Sequence, residues 1–173
     1  MTTHSEKAIY FYNKALNASS KDNFKRAIKY YRDALKQSPT LYQAANNLGT
    51  IYKDLNQLDS SLHFYKMASR IIGPNAIILN NIGSVYRLKG NNENALSYFL
   101  SSLKVDKSYL PARFNYFDLS IEISDITSLY SQIEALQALR IPQIAIDILL
   151  QKIGLTEPDS NLYLLSSARI VQY

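Results

Sequence analysis

AANNLGTIY (residues 44–52) and ILNNIGSVY (78–86) lie 34 residues apart and share Asn, Asn, Gly and Tyr at the same places, with conservative exchanges at most of the others. Extending the comparison in both directions extends the match. Ala27, Ser61 and Ala95 form one column at this spacing, Tyr31, Tyr65 and Phe99 a second, and Ala34, Ala68 and Ser102 a third. Tyr30, Phe64 and Tyr98 add an aromatic column. A fixed period of this length is the mark of a stacked-repeat architecture, in which one supersecondary unit cannot bury its apolar face alone.

The residue types say what the unit is. Small side chains at Gly49, Gly83, Ala27 and Ala95 let two helices approach closely, and Tyr31, Tyr52 and Phe99 fill the gaps between neighbouring hairpins. Turn-forming residues fall mid-unit at Asn17 to Asp22, Asn56-Gln57 and Gly90-Asn91-Asn92, while Pro39 and Gly73-Pro74 mark unit ends. Each unit reads as helix–turn–helix, with units at about 8–41, 42–75 and 76–109. Beyond 109, Leu110 to Ile123 reads as a further first helix with Pro111 in its opening turn. Two pairings then stay open: a degenerate unit over 110–139, or one over 126–159 in which Ala145, Leu149 and Pro158 supply the small–large–Pro order. The last helix, with Leu162, Leu164, Leu165, Ile170, Val171 and Tyr173, is apolar and nearly uncharged. It suits a cap, a contact with a second copy, or a truncation point at Tyr173.

Composition narrows the classes. The 173 residues include no Cys, which excludes a disulfide scaffold, a thiolate metal site and a cysteine nucleophile. Met1 to Asn13 lacks the order of a signal peptide, and Ile141 to Leu155 is too short and too charged to span a bilayer. The expectation is a cytoplasmic protein without a membrane partner. Residues 1–109 carry 15 Lys and Arg against 7 Asp and Glu, whereas residues 110–173 carry 4 against 7. Much of the basic excess forms one helical stripe, Lys25, Lys29, Arg32 and Lys36, which reads as a solvated outer face and not as a nucleic-acid surface. His4 and His63 stand apart from any carboxylate pattern, and no phosphate-binding glycine loop or metalloenzyme motif occurs. No catalytic residue, no metal and no cofactor is expected, and no enzyme activity within this chain.

These residues resemble the tetratricopeptide repeat family. Leu48-Gly49-Tyr52 and Ile82-Gly83-Tyr86 correspond to its first-helix element, and Ala27-Tyr31-Ala34-Pro39 to its second half. The resemblance implies an all-α, right-handed superhelix of stacked antiparallel hairpins whose first helices line a concave groove, serving to bind a protein or extended peptide. The family's carboxylate-gripping subtype is not indicated. Of its pattern only Asn47 is present, with Tyr12, Leu16, Ile77 and Asn81 at the other positions.

Asn13, Asn47, Asn81 and Asn115 recur at intervals of 34 on the first helices. The family resemblance places them in the groove. An amide offers an acceptor and a donor together, matching a peptide group of an extended ligand. First helices one diameter apart, about 10 Å, would meet roughly every third residue of a strand advancing about 3.3–3.6 Å per residue. Thr50 and Ser84 flank the column, and Lys53 and Arg87 mark the opposite edge of the same face, favouring an acidic or phosphorylated ligand residue. A second, shorter column, Asn46 and Asn80, reflects duplication equally well, and the amides have a structural alternative in bonding to a neighbouring unit. Two further functions stay open: the N-terminal recognition arm of a larger modifying enzyme such as a glycosyltransferase, and homo-oligomeric self-assembly through the last helix.

Overall fold

The computed structural model describes residues 4–123, with isolated positions 135, 138 and 139 beyond them. Among the described residues the secondary structure is seven helices and no strand: α1 (Glu6–Ser19), α2 (Phe24–Gln37), α3 (Tyr42–Asp54), α4 (Leu58–Ile72), α5 (Ala76–Leu88), α6 (Asn92–Val105) and α7 (Leu110–Glu122). The described residues are all-α, and α1 to α6 stack as antiparallel hairpins into a solenoid. It divides into two compact units after Ala112, and the first unit holds α1 to α6. There α1 packs on α2, α3 on α4 and α5 on α6, while α2 meets α3, α4 meets α5, and α3 touches α5.

Local chemistry places the helix ends. Ser5, Asn23, Asn75 and Asn91 each accept a hydrogen bond from a first-turn backbone N–H, capping α1, α2, α5 and α6. The turn inside each hairpin uses one residue in the left-handed region, and these three are again 34 apart: Asp22 (φ 54°), Asn56 (φ 56°) and Gly90 (φ 72°). Asp and Asn tolerate that conformation better than most side chains, and Gly adopts it without strain. The first turn begins later than the sequence suggests, because α1 continues through Asn17 to Ser19.

The repeat columns are the core. Tyr31, Tyr65 and Phe99 are at most 1% exposed, and Ala27, Ser61, Ala95, Ala34, Ala68 and Ser102 are wholly buried. Two of these positions hold serine without leaving a polar orphan: Ser61 Oγ donates to the Gly49 carbonyl at 2.7 Å, and Ser102 Oγ to the Ala76 carbonyl at 2.7 Å. The glycines serve the rings more than the backbones. A Cβ at Gly49 would stand 2.6–2.8 Å from Tyr65 ring carbons, and one at Gly83 would stand 2.7 Å from the Phe99 ring and 3.2 Å from the Ala95 carbonyl oxygen. Phe99 therefore fills space within its own hairpin, not only between hairpins.

Burial pushes the Tyr65 phenol up to about 12, against the hydrogen bond with Thr50, which lowers it; burial also raises Tyr31. A phenol whose folded pKa lies above its unfolded value near 10 stabilises the fold fully below pH 10 and loses that contribution as pH rises through 12. We expect alkaline unfolding in this window, with on the order of 2–3 kcal/mol lost through Tyr65. Tyr65→Phe should flatten the pH 10–12 slope in denaturant titrations; an unchanged slope would assign the transition to other groups.

In the second unit α7 carries the buried Tyr116, Phe117, Leu119 and Ser120, and Ser120 Oγ donates back to the Tyr116 carbonyl at 2.8 Å. Its helix covers the span read from Leu110 to Ile123, one residue shorter at the end. The partner helices of both pairings after residue 109 and the apolar last helix fall outside the described residues. No helix among the described residues is long and apolar enough to cross a membrane.

Candidate functional site

Side-by-side stacking of first helices brings α1, α3 and α5 into direct polar contact. Asn47 Nδ2 on α3 donates to Tyr31 Oη at 3.0 Å and to Tyr12 Oη on α1 at 3.3 Å. Asn46 Nδ2 donates to Asn47 Oδ1 at 3.5 Å, and Asn81 Nδ2 on α5 donates to Asn46 Oδ1 at 3.4 Å. The result is a run of phenols and amides from α1 to α5, tied to α2 through Tyr31. Its strongest link is Asn47 to Tyr31; the two amide–amide links are long and correspondingly weak.

The four column residues are therefore not equivalent. Asn13 is exposed. Asn47 is half-buried, and its amide hydrogens serve Tyr12 and Tyr31. Asn81, also half-buried, gives one amide hydrogen to Asn46 and keeps its carbonyl oxygen without a partner among the described residues. Asn115 sits on α7 in the second unit. The structural alternative for the amides is thus realised at Asn47, where leaving the buried Tyr31 hydroxyl without its donor would cost roughly 1 kcal/mol.

The flanking residues are differently engaged than the helical wheel suggests. Thr50 Oγ1 lies 2.9 Å from Tyr65 Oη and donates to the Asn46 carbonyl at 3.3 Å. Ser84 Oγ donates to the Asn80 carbonyl at 3.0 Å. Both hydroxyls turn back onto their own helix, one turn earlier. Lys53 Nζ approaches Asp54 at 3.9 Å, which partly neutralises the positive edge expected there, and Arg87 is half-buried on α5. Gln43, one turn before Asn47 on α3, holds a buried Oε1 with no hydrogen-bond partner.

Sequence reading missed a second recurring device. Arg32 of α2 donates to Tyr52 Oη of α3 at 2.8 Å, and Lys66 of α4 donates to Tyr86 Oη of α5 at 3.0 Å, the same pair one period later. Tyr52 stacks on Phe64 and Tyr86 on Tyr98, each with centroids 5.4 Å apart. The periodicity of Arg32/Lys66 and Tyr52/Tyr86 was the available signal. Arg32 thus joins neighbouring units, while Lys25, Lys29 and Lys36 of the same stripe are exposed. His4 Nδ1 lies 2.6 Å from Ser38 Oγ, and His63 packs edge-on against Phe64. Among the described residues no group of three His, Cys, Asp or Glu side chains is placed to hold a metal ion.

Comparison with known proteins agrees with the fold. A family profile described as tetratricopeptide repeat matches residues 5–41, 42–71 and 76–109. A barley (Hordeum vulgare) protein named as the probable UDP-N-acetylglucosamine–peptide N-acetylglucosaminyltransferase SPINDLY is 32% identical over 110 residues, covering 59% of this chain and 11% of that protein. The chain spans about a tenth to a fifth of the length of most curated relatives it matches. Among solved structures, MamA superposes with a TM-score of 0.75 at 15% identity, covering 97% of this chain and 96% of that one. YrrB, described as a protein of this repeat class with an unusual peptide-binding site, superposes with a TM-score of 0.67 at 19% identity, covering 93% and 92%.

Proposed function

We propose that this chain, which belongs to the tetratricopeptide repeat family, is a protein-interaction scaffold that holds an extended peptide along α1, α3 and α5. The observation that carries the reading is the polar run across the three first helices, which keeps unsatisfied capacity at Asn81, Asn13 and the buried Gln43 oxygen. Asn13 and Asn81 are the ligand-facing rungs; Asn47 organises the surface by fixing Tyr12 and Tyr31. Thr50 and Ser84 shape the groove floor, Lys53 and Arg87 give its edge a basic character, and Asn115 holds the same repeat position on α7. Net gain per neutral hydrogen bond is about 1 kcal/mol, so affinity comes from repetition and reaches roughly micromolar Kd.

The test uses peptides selected on the protein from a displayed random library, then titrated against variants. Asn13→Ala/Asn81→Ala should weaken binding by about tenfold or more with melting unchanged. Asn47→Ala should weaken binding and also lower stability by about 1 kcal/mol, because Tyr31 loses its donor. Selected peptides that bind all variants equally would place the partner surface elsewhere. A second reading, the recognition arm of a larger modifying enzyme, is favoured by the likeness to the barley protein named as a glycosyltransferase. A transcript whose reading frame runs past Tyr173 into a catalytic domain would support it.

A further inference from the structure

The aromatic stack seen in the second and third hairpins is interrupted in the first. Tyr52 covers Phe64 and Tyr86 covers Tyr98, but the residue one period earlier than Tyr52 is Ala18, so its partner ring Tyr30 lacks the corresponding cover. A cavity of about 270 Å³ opens there, bordered by Ala18, Tyr30, Lys14, Lys21 and Arg26. Phe11, earlier on the same face of α1, stacks on Tyr30 with planes 23° apart but at 6.5 Å between centroids, farther than the 5.4 Å of the later pairs.

The cations around this gap are departures from the repeat as well. Lys14 stands where Leu48 and Ile82 are buried in later units, and Arg26 where Ser60 and Asn94 occur. Lys21 matches Leu55 and Lys89, but Lys89 pairs with Asp59 of the preceding hairpin. Among the described residues none of Lys14, Lys21 and Arg26 is paired with a carboxylate. The Lys14 ammonium lies 4.6 Å from the Tyr10 ring centroid and 5.8 Å from that of Tyr30. The carbonyl oxygen of Asn23 caps α2 through the Arg26 N–H, leaving its NH₂ as a further donor at the cavity wall. No acidic side chain lines the space.

We propose that this cavity binds an aryl phosphate: the ring takes the place of the absent tyrosine against Tyr30, and the phosphate oxygens accept hydrogen bonds from Lys14, Lys21 and Arg26. A ring face supplies stacking and the cations supply charge-assisted hydrogen bonds, a combination that neither a bare anion nor an uncharged ring exploits fully. The volume lies just below the range of about 300–1,000 Å³ that holds drug-sized ligands, which suits a single substituted ring. The same chemistry is met in a free aryl phosphate and in a phosphotyrosine side chain of a partner protein. The site is separate from the first-helix groove and does not depend on it.

The test titrates phenyl phosphate, inorganic phosphate and a short phosphotyrosine peptide into the intact chain, read by calorimetry or by tyrosine chemical shifts. Phenyl phosphate should bind saturably with Kd on the order of a millimolar or tighter, and at least about tenfold more tightly than inorganic phosphate. A peptide tighter than phenyl phosphate assigns the partner-protein source, and parity assigns the free small molecule. Ala18→Tyr restores the ring of the later units and should abolish binding while leaving the melting temperature equal or higher. Arg26→Ser, at an exposed position, should weaken binding about fivefold and reduce its salt dependence, and it decides the matter if Ala18→Tyr does not fold. Asn13→Ala/Asn81→Ala should leave phenyl phosphate binding intact. Absence of saturable binding, equal binding of inorganic phosphate, or full binding by folded Ala18→Tyr would each overturn the assignment.

Discussion

Gly83→Leu should destabilise the chain by about 3 kcal/mol or more, lowering Tm by about 6–12 °C for a chain of this length. The reason is geometric. Even the first added carbon would lie 2.7 Å from the Phe99 ring and 3.2 Å from the Ala95 carbonyl oxygen, and Phe99 is wholly buried. A leucine adds three carbons beyond that one. Gly83→Ala should fall between wild type and leucine, since alanine's helix propensity returns about 1 kcal/mol of the steric cost. Thermal melts followed by circular dichroism check the order. A leucine variant that melts with wild type would mean that α5 and α6 do not cross at Gly83.

The close approach at Gly83 was legible from the sequence because sterics repeat with the fold. Each unit must place a small residue opposite a large one, so Gly49, Gly83, Tyr65 and Phe99 declare themselves by recurrence. Turns inside the hairpins were legible for the same reason, since Asp22, Asn56 and Gly90 share one backbone requirement. The candidate groove was legible only in outline. Periodicity marks Asn13, Asn47 and Asn81 as equivalent, yet what an amide does depends on which side chains the neighbouring unit supplies. Tyr12 and Tyr31 capture Asn47, whereas Asn13 is exposed and bonds to no side chain among the described residues. Thr50 and Ser84 were read as groove residues from their angle on the wheel, but a hydroxyl on a helix readily bonds the carbonyl one turn back, and both do. Departures from a column carry as much information as the column itself. Ala18 in the column of Tyr52 and Tyr86, and Lys14 in the column of Leu48 and Ile82, open the cavity beside Tyr30.

Interaction between the small and large columns can be measured directly. Tyr65→Ala alone should cost about 3–5 kcal/mol, since it removes a fully buried ring. Gly49→Leu alone should cost about 3 kcal/mol by overfilling the same space. The three atoms nearest an added Cβ at Gly49 all belong to the Tyr65 ring, so removing that ring removes the clash and leaves a hole for the leucine to fill. Gly49→Leu/Tyr65→Ala should accordingly be more stable than the sum of the single losses, by a coupling of about 1–3 kcal/mol. Thr50 loses its bond to the Tyr65 hydroxyl but keeps the Asn46 carbonyl, so no polar orphan offsets the gain. The equivalent pair one unit later should recover less. At Gly83 the Ala95 carbonyl oxygen stays 3.2 Å from the new carbon whatever stands at Phe99, and a backbone atom cannot be cleared by a side-chain exchange. Equal coupling in the two units would show that the backbone of α6 yields at Ala95, and a strictly additive result at Gly49 would show that Tyr65 is not what its glycine accommodates.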